Sequence, residues 1–348
     1  MATLTAATSF AQSTVTISGI VDFAYGSTSG NGTTAATKLQ TVSQSLHTSS
    51  TSAINFNIVE DLGGGLRASA RYAIDPRAWS NGTGVSTAGA LGRHESFVGL
   101  SGGFGNLRLG VINAGSLDAY SASAPLGTGI GSAFSLSDHT AVSVGTVRYN
   151  NSVRYDTPRV NGFAGSLTYA PGNDDATSGG ARPAITNFGL TYSQGAMNVA
   201  FSSLQVSATV AQPEVPLSLN AAETILLSPG TAAVAATAKS TYNYIGANYT
   251  MGAARVFLGY GDGNKSAAGS DVKVTRVGAT YTMGAVTFLG QYATTEIGTA
   301  ADRKTTGLRA DYALSKRTAA YLGYEAYDSG ATTANKTNLA AVGIRHSF

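Results

Sequence analysis

The stretch Gly246-Ala-Asn-Tyr-Thr-Met-Gly-Ala-Ala-Arg-Val-Phe-Leu-Gly-Tyr260 returns, little changed, as Gly278-Ala-Thr-Tyr-Thr-Met-Gly-Ala-Val-Thr-Phe-Leu-Gly-Gln-Tyr292. Each copy alternates side-chain character on both sides of a Met-Gly-Ala centre. Period-two alternation marks a strand with different surroundings on its two faces, and a glycine between two such runs permits the positive φ of a tight hairpin. The unit reads strand, turn, strand. A chain assembled from such units is confined to all-β folds.

From Gln12 onward the chain repeats this unit in segments of about ten residues, the length a tilted strand needs to cross a bilayer. Short turns fall at Asp61–Gly65, Gly102–Gly105, Arg159–Gly162, Gln194–Ala196, Met251–Ala253, Met283–Ala285 and Ser315–Lys316. Longer Gly/Ser/Thr/Asn-rich stretches separate the pairs near 26–47, 76–92, 114–146, 171–184, 208–240, 263–271, 296–303 and 328–336. Seven short turns and eight long loops predict sixteen strands. A soluble β-solenoid, also glycine-rich, would keep a fixed repeat length, whereas here only the strand length is constant. Charged residues make up just 12% of the chain, yet no run of about eighteen apolar residues offers a membrane helix. Both facts suit a sixteen-stranded antiparallel transmembrane β-barrel, whose lipid-facing and lumen-facing residues alternate and average out.

The final run supports closure. Ala340, Val342, Ile344, His346 and Phe348 share one face, while Ala341, Gly343, Arg345 and Ser347 share the other. A strand carried to the last residue, where ends normally fray, is expected to pair with the first strand. At the other end, residues 1–11 (MATLTAATSFA) read as the tail of a secretory signal, with Ser9 and Ala11 where a signal peptidase prefers small residues. The expected division is therefore 1–11 as signal remnant and 12–348 as a single barrel.

Several chemistries find no footing. There is no cysteine, and the net charge of +3 with no long basic run argues against nucleic acid. His47, His94, His139 and His346 show no metal-ligand spacing, so neither metal nor cofactor is expected. Gly99-Leu-Ser-Gly-Gly103 matches a nucleophile elbow, but Phe104-Gly-Asn-Leu-Arg-Leu-Gly110 continues as a strand where the elbow needs a helix. No catalytic residue is predicted.

The anchors of this sawtooth resemble those of the Gram-negative general porins, particularly the betaproteobacterial branch. The matching segments are Ser13-Thr-Val-Thr-Ile-Ser-Gly-Ile-Val-Asp22, Glu60-Asp-Leu-Gly-Gly-Gly-Leu-Arg67, Phe97-Val-Gly-Leu-Ser-Gly-Gly-Phe-Gly105, Asn151-Ser-Val-Arg-Tyr-Asp-Thr-Pro158 and Val342-Gly-Ile-Arg-His-Ser-Phe348. The resemblance implies a homotrimeric outer-membrane barrel in contact with lipid and lipopolysaccharide. It implies a long third loop, here 113–147, folded into the pore, and a terminal Phe348 strand read by the barrel-assembly machinery.

Alternation also sorts the charges. Leu66, Ala68, Ala70, Tyr72 and Ile74 form an apolar face, which leaves Arg67, Ser69, Arg71 and Asp75 inward. In 147–156, Val147, Tyr149, Val153 and Tyr155 are expected outward, with Arg148, Asn150, Ser152, Arg154 and Asp156 inward. The same parity puts Arg108, Arg255, Arg309, Arg317 and Arg345 inside, with Asp22, Asp311 and Glu325. Arginine facing lipid at mid-membrane would cost roughly 2–4 kcal/mol. Inward arginines then outnumber inward carboxylates about two to one, and rings of arginine favour anions. Two readings stay open: a basic track, or structural pairs such as Arg154 with Asp156 and Arg309 with Asp311. Residues predicted to line the pore or its constriction are Arg71, Arg108, Arg148, Arg154 and Arg309, with Asp118, Tyr120 and Asp138 from the loop. The chain departs from the family in having Ala53, Asn57 and Val111 where charges are usual, which weakens the expected anion preference.

The expected function is passive diffusion of small hydrophilic solutes and ions, weakly favouring anions, from the bacterial outer membrane. One alternative is a surface-binding barrel acting through the long extracellular loop 207–239, with its apolar run Thr224-Ile-Leu-Leu227. A barrel hydrolase is the other.

Overall fold

The computed structural model describes residues 13–30, 37–43, 52–74, 94–125, 129–131, 148–172, 183–208, 218–219, 226–228, 239–264, 271–330 and 336–348. The signal-like segment 1–11, Asp75, Asp138, Val147 and most of 207–239 lie outside them.

The first strand, β1 (Ser13–Gly30), is followed by β2 (Thr37–Ser43), β3 (Ala53–Gly63), β4 (Leu66–Ile74), β5 (Ser96–Gly102) and β6 (Gly105–Asn113). A helix, α1 (Gly115–Ser123), then precedes β7 (Arg148–Asp156), β8 (Phe163–Ala170), β9 (Ile185–Gln194) and β10 (Met197–Val206). Within the long loop, β11 (Ser218–Leu219) and β12 (Leu226–Ser228) pair only with each other. The wall resumes with β13 (Ser240–Met251), β14 (Ala254–Asn264), β15 (Asp271–Met283) and β16 (Val286–Ile297). It ends with β17 (Arg303–Ala313), β18 (Thr318–Asp328) and β19 (Lys336–Ser347).

From β3 onward, and apart from β11 and β12, each strand pairs antiparallel with the next, and β19 returns to β1 from Ile20↔Ser347 to Gly30↔Thr337. Beyond β19 the backbone of Phe348 continues the ladder, exchanging hydrogen bonds of 2.9 and 3.0 Å with Gly19. β2 pairs with the later part of β1 and β3 with the earlier part, so those two segments share one stave. The result is a closed sixteen-strand antiparallel barrel. The segment 37–43, expected as loop, extends the wall instead.

All seven expected short turns join the strands they were expected to join. In the repeated hairpins, Gly252 and Gly284 both sit at φ +59°, a conformation that a Cβ would strain. The outer face carries the large apolar side chains: Ile17 is 57% exposed, Leu258 57% and Leu322 64%. On a protein in water such a belt would be a liability; around a barrel it is the lipid-facing band.

Candidate pore constriction

From the end of β6 the chain turns inside the barrel. Ala114 is fully buried and α1 lies against the inner face of β8, β9, β10, β13, β14 and β15. The sequence Gly115-Ser-Leu-Asp-Ala-Tyr-Ser-Ala-Ser123 has no apolar stripe, and Ala114 at its N-cap offers no side-chain hydrogen bond. A nine-residue helix of this kind is marginal alone. Its stability comes from the wall, which is why the sequence showed only a long loop here.

The wall is shaped to receive it. A Cβ on Gly246 would collide with the carbonyl oxygen of Ala119, and one on Gly259 with Tyr244 and Ser123. Further along, a Cβ on Gly278 would come within 2.9 Å of Pro125 Cγ, and one on Gly323 within 2.5 Å of Ile130 Cγ2. One on Gly307 would meet the backbone of Gly131. Missing side chains on β13, β14, β15, β17 and β18 thus form a seat along which the loop lies flush. Hydrogen bonds add to it: Ser123 Oγ lies 2.7 Å from Tyr244 Oη, and Asn248 Nδ2 donates to the Ala122 carbonyl at 2.8 Å.

Two charged clamps hold the two ends of the loop's described stretch, its start at Asn113 and its tip at Ile130 and Gly131. At its start, Arg154 Nη1 donates to the Asn113 carbonyl at 2.7 Å and Nη2 to Asp118 Oδ2 at 2.7 Å. Arg154 also binds Asp156, with Nε 2.9 Å from Oδ1. At the far end, Arg309 Nη1 donates to the Ile130 carbonyl at 3.2 Å, while Nε and Nη2 take the two oxygens of Asp311 at 2.8 and 3.1 Å. The Gly131 amide donates to Glu325 Oε2 at 3.0 Å, and Tyr321 Oη to Asp22 Oδ1 at 2.6 Å.

The first clamp extends into a network. Arg108 reaches Asp156 at 2.6 Å and Glu95 at 3.6 Å, and Arg71 reaches Glu95 at 3.3 Å. Glu95 Oε1 also accepts the Asn113 amide at 3.1 Å. Arg71, Arg108 and Arg154 therefore face Glu95, Asp156 and Asp118, and the network balances in charge. Glu95 was missed because it follows a loop-like stretch. Extending the β5 alternation upstream from Ser101, Gly99 and Phe97 would have found it on the inner face.

Other expectations need correction. Arg148 does not join the network. Asn150 and Asn151 together oppose Val111, and Asn151 takes φ +52°, so the β6–β7 register shifts between Gly110↔Ser152 and Ile112↔Tyr149. This bulge turns Tyr149 inward, where it packs with Ala114, Ala170, Ile185 and Leu204, and leaves Arg148 on the opposite face. There Arg148 Nε donates to Asn113 Oδ1 at 2.8 Å, and Nη1 lies 3.2 Å from His94 Nδ1. Val111 pairs with Ser96, on the outer face with Val98 and Leu100, so its neutrality removes nothing from the lumen.

Tyr120 turns to the wall rather than the pore. It is 7% exposed and packs against Tyr244, with the Arg276 guanidinium 4.2 Å over its ring. Arg309 is covered by the loop tip, its side chain 0% exposed. Arg276, not singled out in the sequence, is fully buried beside the inward Val272 and Val274. Apolar residues face inward on β15 because the loop makes that part of the wall a protein core. Across the barrel the inner face of β3 presents Ala53 and Asn57, and Asn57 Nδ2 donates to Ser18 Oγ at 3.0 Å. Among the described residues, no cluster of His, Asp and Glu is placed to hold a metal.

A family model described as Gram-negative porin matches residues 1–332. The chain belongs to that family. This porin is 37% identical over 133 residues to major outer membrane protein P.IB of Neisseria gonorrhoeae, covering 37% of the chain and 34% of that relative. The P.IB protein of Neisseria lactamica is 30% identical over 177 residues, covering 47% of the chain and 46% of the relative. The matched stretches thus span about a third to a half of those curated relatives. Among solved structures, the anion-selective porin from Comamonas acidovorans superposes with a TM-score of 0.74 at 22% identity. That match covers 97% of this chain and all of the other, and it shows the shared fold. A form of OmpT from Vibrio cholerae lacking loop L8 gives 0.67 at 16% identity, covering 97% of this chain and 99% of that one. Porin membership and the closed barrel place the protein in the bacterial outer membrane. They favour neither the hydrolase nor the adhesin alternative.

Proposed function

We propose that this porin is a water-filled diffusion channel for small hydrophilic solutes and ions, weakly favouring anions and assembled as a homotrimer. The observation that carries the reading is the seated loop. It lies across the inner wall of a sixteen-strand lumen and leaves polar space beneath α1, which supports a constricted, water-filled channel. The charge balance of the Arg71–Asp118 network explains why the preference is weak. The anion selectivity named for the Comamonas acidovorans porin supports its direction.

Trimer assembly is supported by an OmpT structure described as a trimer form. It fits an uneven outer surface too. β14 to β18 carry exposed Tyr260, Tyr281, Tyr292, Tyr312 and Tyr324, suited to a lipid interface, whereas β5 and β6 present Val98, Leu100 and Leu109. The aliphatic sector suits contact between protomers. Lipid and lipopolysaccharide cover the rest, and the Phe348 strand serves recognition by the barrel-assembly machinery.

Recording from planar bilayers tests the reading. Stepwise open-channel conductance is expected, with a reversal potential in a KCl gradient displaced modestly toward the chloride equilibrium. Insertion without conductance would overturn the channel; a cation-shifted potential would overturn the preference.

A further inference from the structure

Beneath α1, at the short-turn end of the barrel, a recess of about 590 Å3 opens between the loop and the inner wall of β7 to β10, β13 and β14. Its lining holds three arginines, Arg154, Arg159 and Arg255, and two carboxylates, Asp118 and Asp156. Both carboxylates are engaged by Arg154, and Asp156 also by Arg108. The other two arginines meet only neutral acceptors. Arg159 donates to the Gly162 carbonyl at 2.6 Å and to Thr191 Oγ1 at 3.3 Å. Arg255 donates through Nε and Nη2 to Asn248 Oδ1 at 3.1 and 2.6 Å. Neither is paired with a carboxylate among the described residues.

Arg255 is also held in place. Its guanidinium lies 5.0 Å from the centroid of the Phe257 ring, and Asn248, which accepts its two hydrogen bonds, is itself fixed to the Ala122 carbonyl of α1. A guanidinium has five N–H donors in a rigid fork that matches carboxylate and phosphate oxygens. A fixed fork loses little freedom on binding, and low-dielectric walls raise the local concentration of the opposite charge.

We propose that this recess is an oxyanion-holding site. A small carboxylate or phosphate rests there, facing Arg159 and Arg255, after passing the constriction or on entering from the short-turn side. The site rests on the channel reading above and adds to it a place where the solute pauses. It also moves the anion preference away from the charge-balanced network and onto two arginines at the inner vestibule.

The test uses purified full-length porin in planar bilayers, with inorganic phosphate added to the short-turn side in constant KCl. A saturable fall in chloride current is expected, and the Arg159→Gln, Arg255→Gln double variant should raise the half-saturating phosphate concentration at least tenfold. Arg317→Gln, an exposed cation at the β17–β18 turn, controls for general loss of positive charge and should leave the half-saturation in place. A wild-type response that never saturates, or a double variant that responds as the wild type does, overturns the site while the channel stands. Absence of conductance would instead overturn the channel reading. The wild-type titration decides the matter even if the double variant fails to insert.

Discussion

Arg154-Tyr155-Asp156 on β7 and Arg309-Ala310-Asp311 on β17 are the same device written twice. Each places an arginine and an aspartate two residues apart on the inner face, and each arginine binds its own aspartate and a carbonyl of the loop, Arg154 at the loop's start and Arg309 at its tip. Their surroundings differ. Arg154 bonds into the lumen to Asp118 on α1, whose side chain is 40% exposed, and through Asp156 it joins a chain of ion pairs bordering the recess. Arg309 lies sealed under the loop tip among Asp311, Tyr321 and Glu325. An Arg-x-Asp pattern therefore tells which face a charge occupies. What passes over it decides whether it serves the solute or the scaffold.

That contrast sets an order of effects. Arg309→Met should be the most damaging change, because breaking a buried ion pair leaves an uncompensated charge and costs about 3–5 kcal/mol. A lower unfolding temperature and noisier, larger channels are expected as the loop tip detaches; quiet channels of wild-type size would refute the clamp. Gly307→Ala should follow, since overpacking costs about 1–3 kcal/mol. It pushes the tip off the wall, so conductance should drop, while Gly290→Ala, where a Cβ meets Leu308 only at 3.6 Å, should leave it alone. At the wetter clamp, Arg154→Met should cost about 1–2 kcal/mol, as water takes over part of what a charged hydrogen bond supplied. Denaturant midpoints would rank it against Arg309→Met, and equal losses would erase the distinction. Smallest in stability is Glu95→Gln, below about 1 kcal/mol for a partly wet pair. Its signature is electrical: Arg71 and Arg108 lose a counter-charge, so the reversal potential should move further toward chloride. An unmoved potential would mean that the network is invisible to permeating ions.

The barrel was legible because strand alternation and hairpin glycines are local. The seven turns needed only the residues between two runs, and the closing strand only its own parity. What failed was non-local or one residue deep. Tyr149 and Arg148 exchanged faces because of a single bulge. Its signal, the Asn150-Asn151 pair, was present in a residue type that tolerates positive φ. Parity places Arg309 inside but cannot distinguish open lumen from wall beneath a loop, and the inward path of the loop does not tell that Tyr120 turns to the wall. Glu95 was lost to glycine-rich surroundings. Arg159 was read only as part of a turn, and the recess it shares with Arg255 required knowing where α1 lies.

The hydrogen bond from Gly131 to Glu325 joins groups 194 positions apart, and the one from Arg309 to Ile130 spans 179. Contacts this distant in sequence are late events, since the intervening chain must be organised before they form. The loop enters the barrel near β7, but its second anchor does not exist until β17 and β18 have joined. The bore of the hole is therefore set by two parts of the chain made far apart, and a barrel lacking its last strands would also lack the second grip on the bar that crosses it.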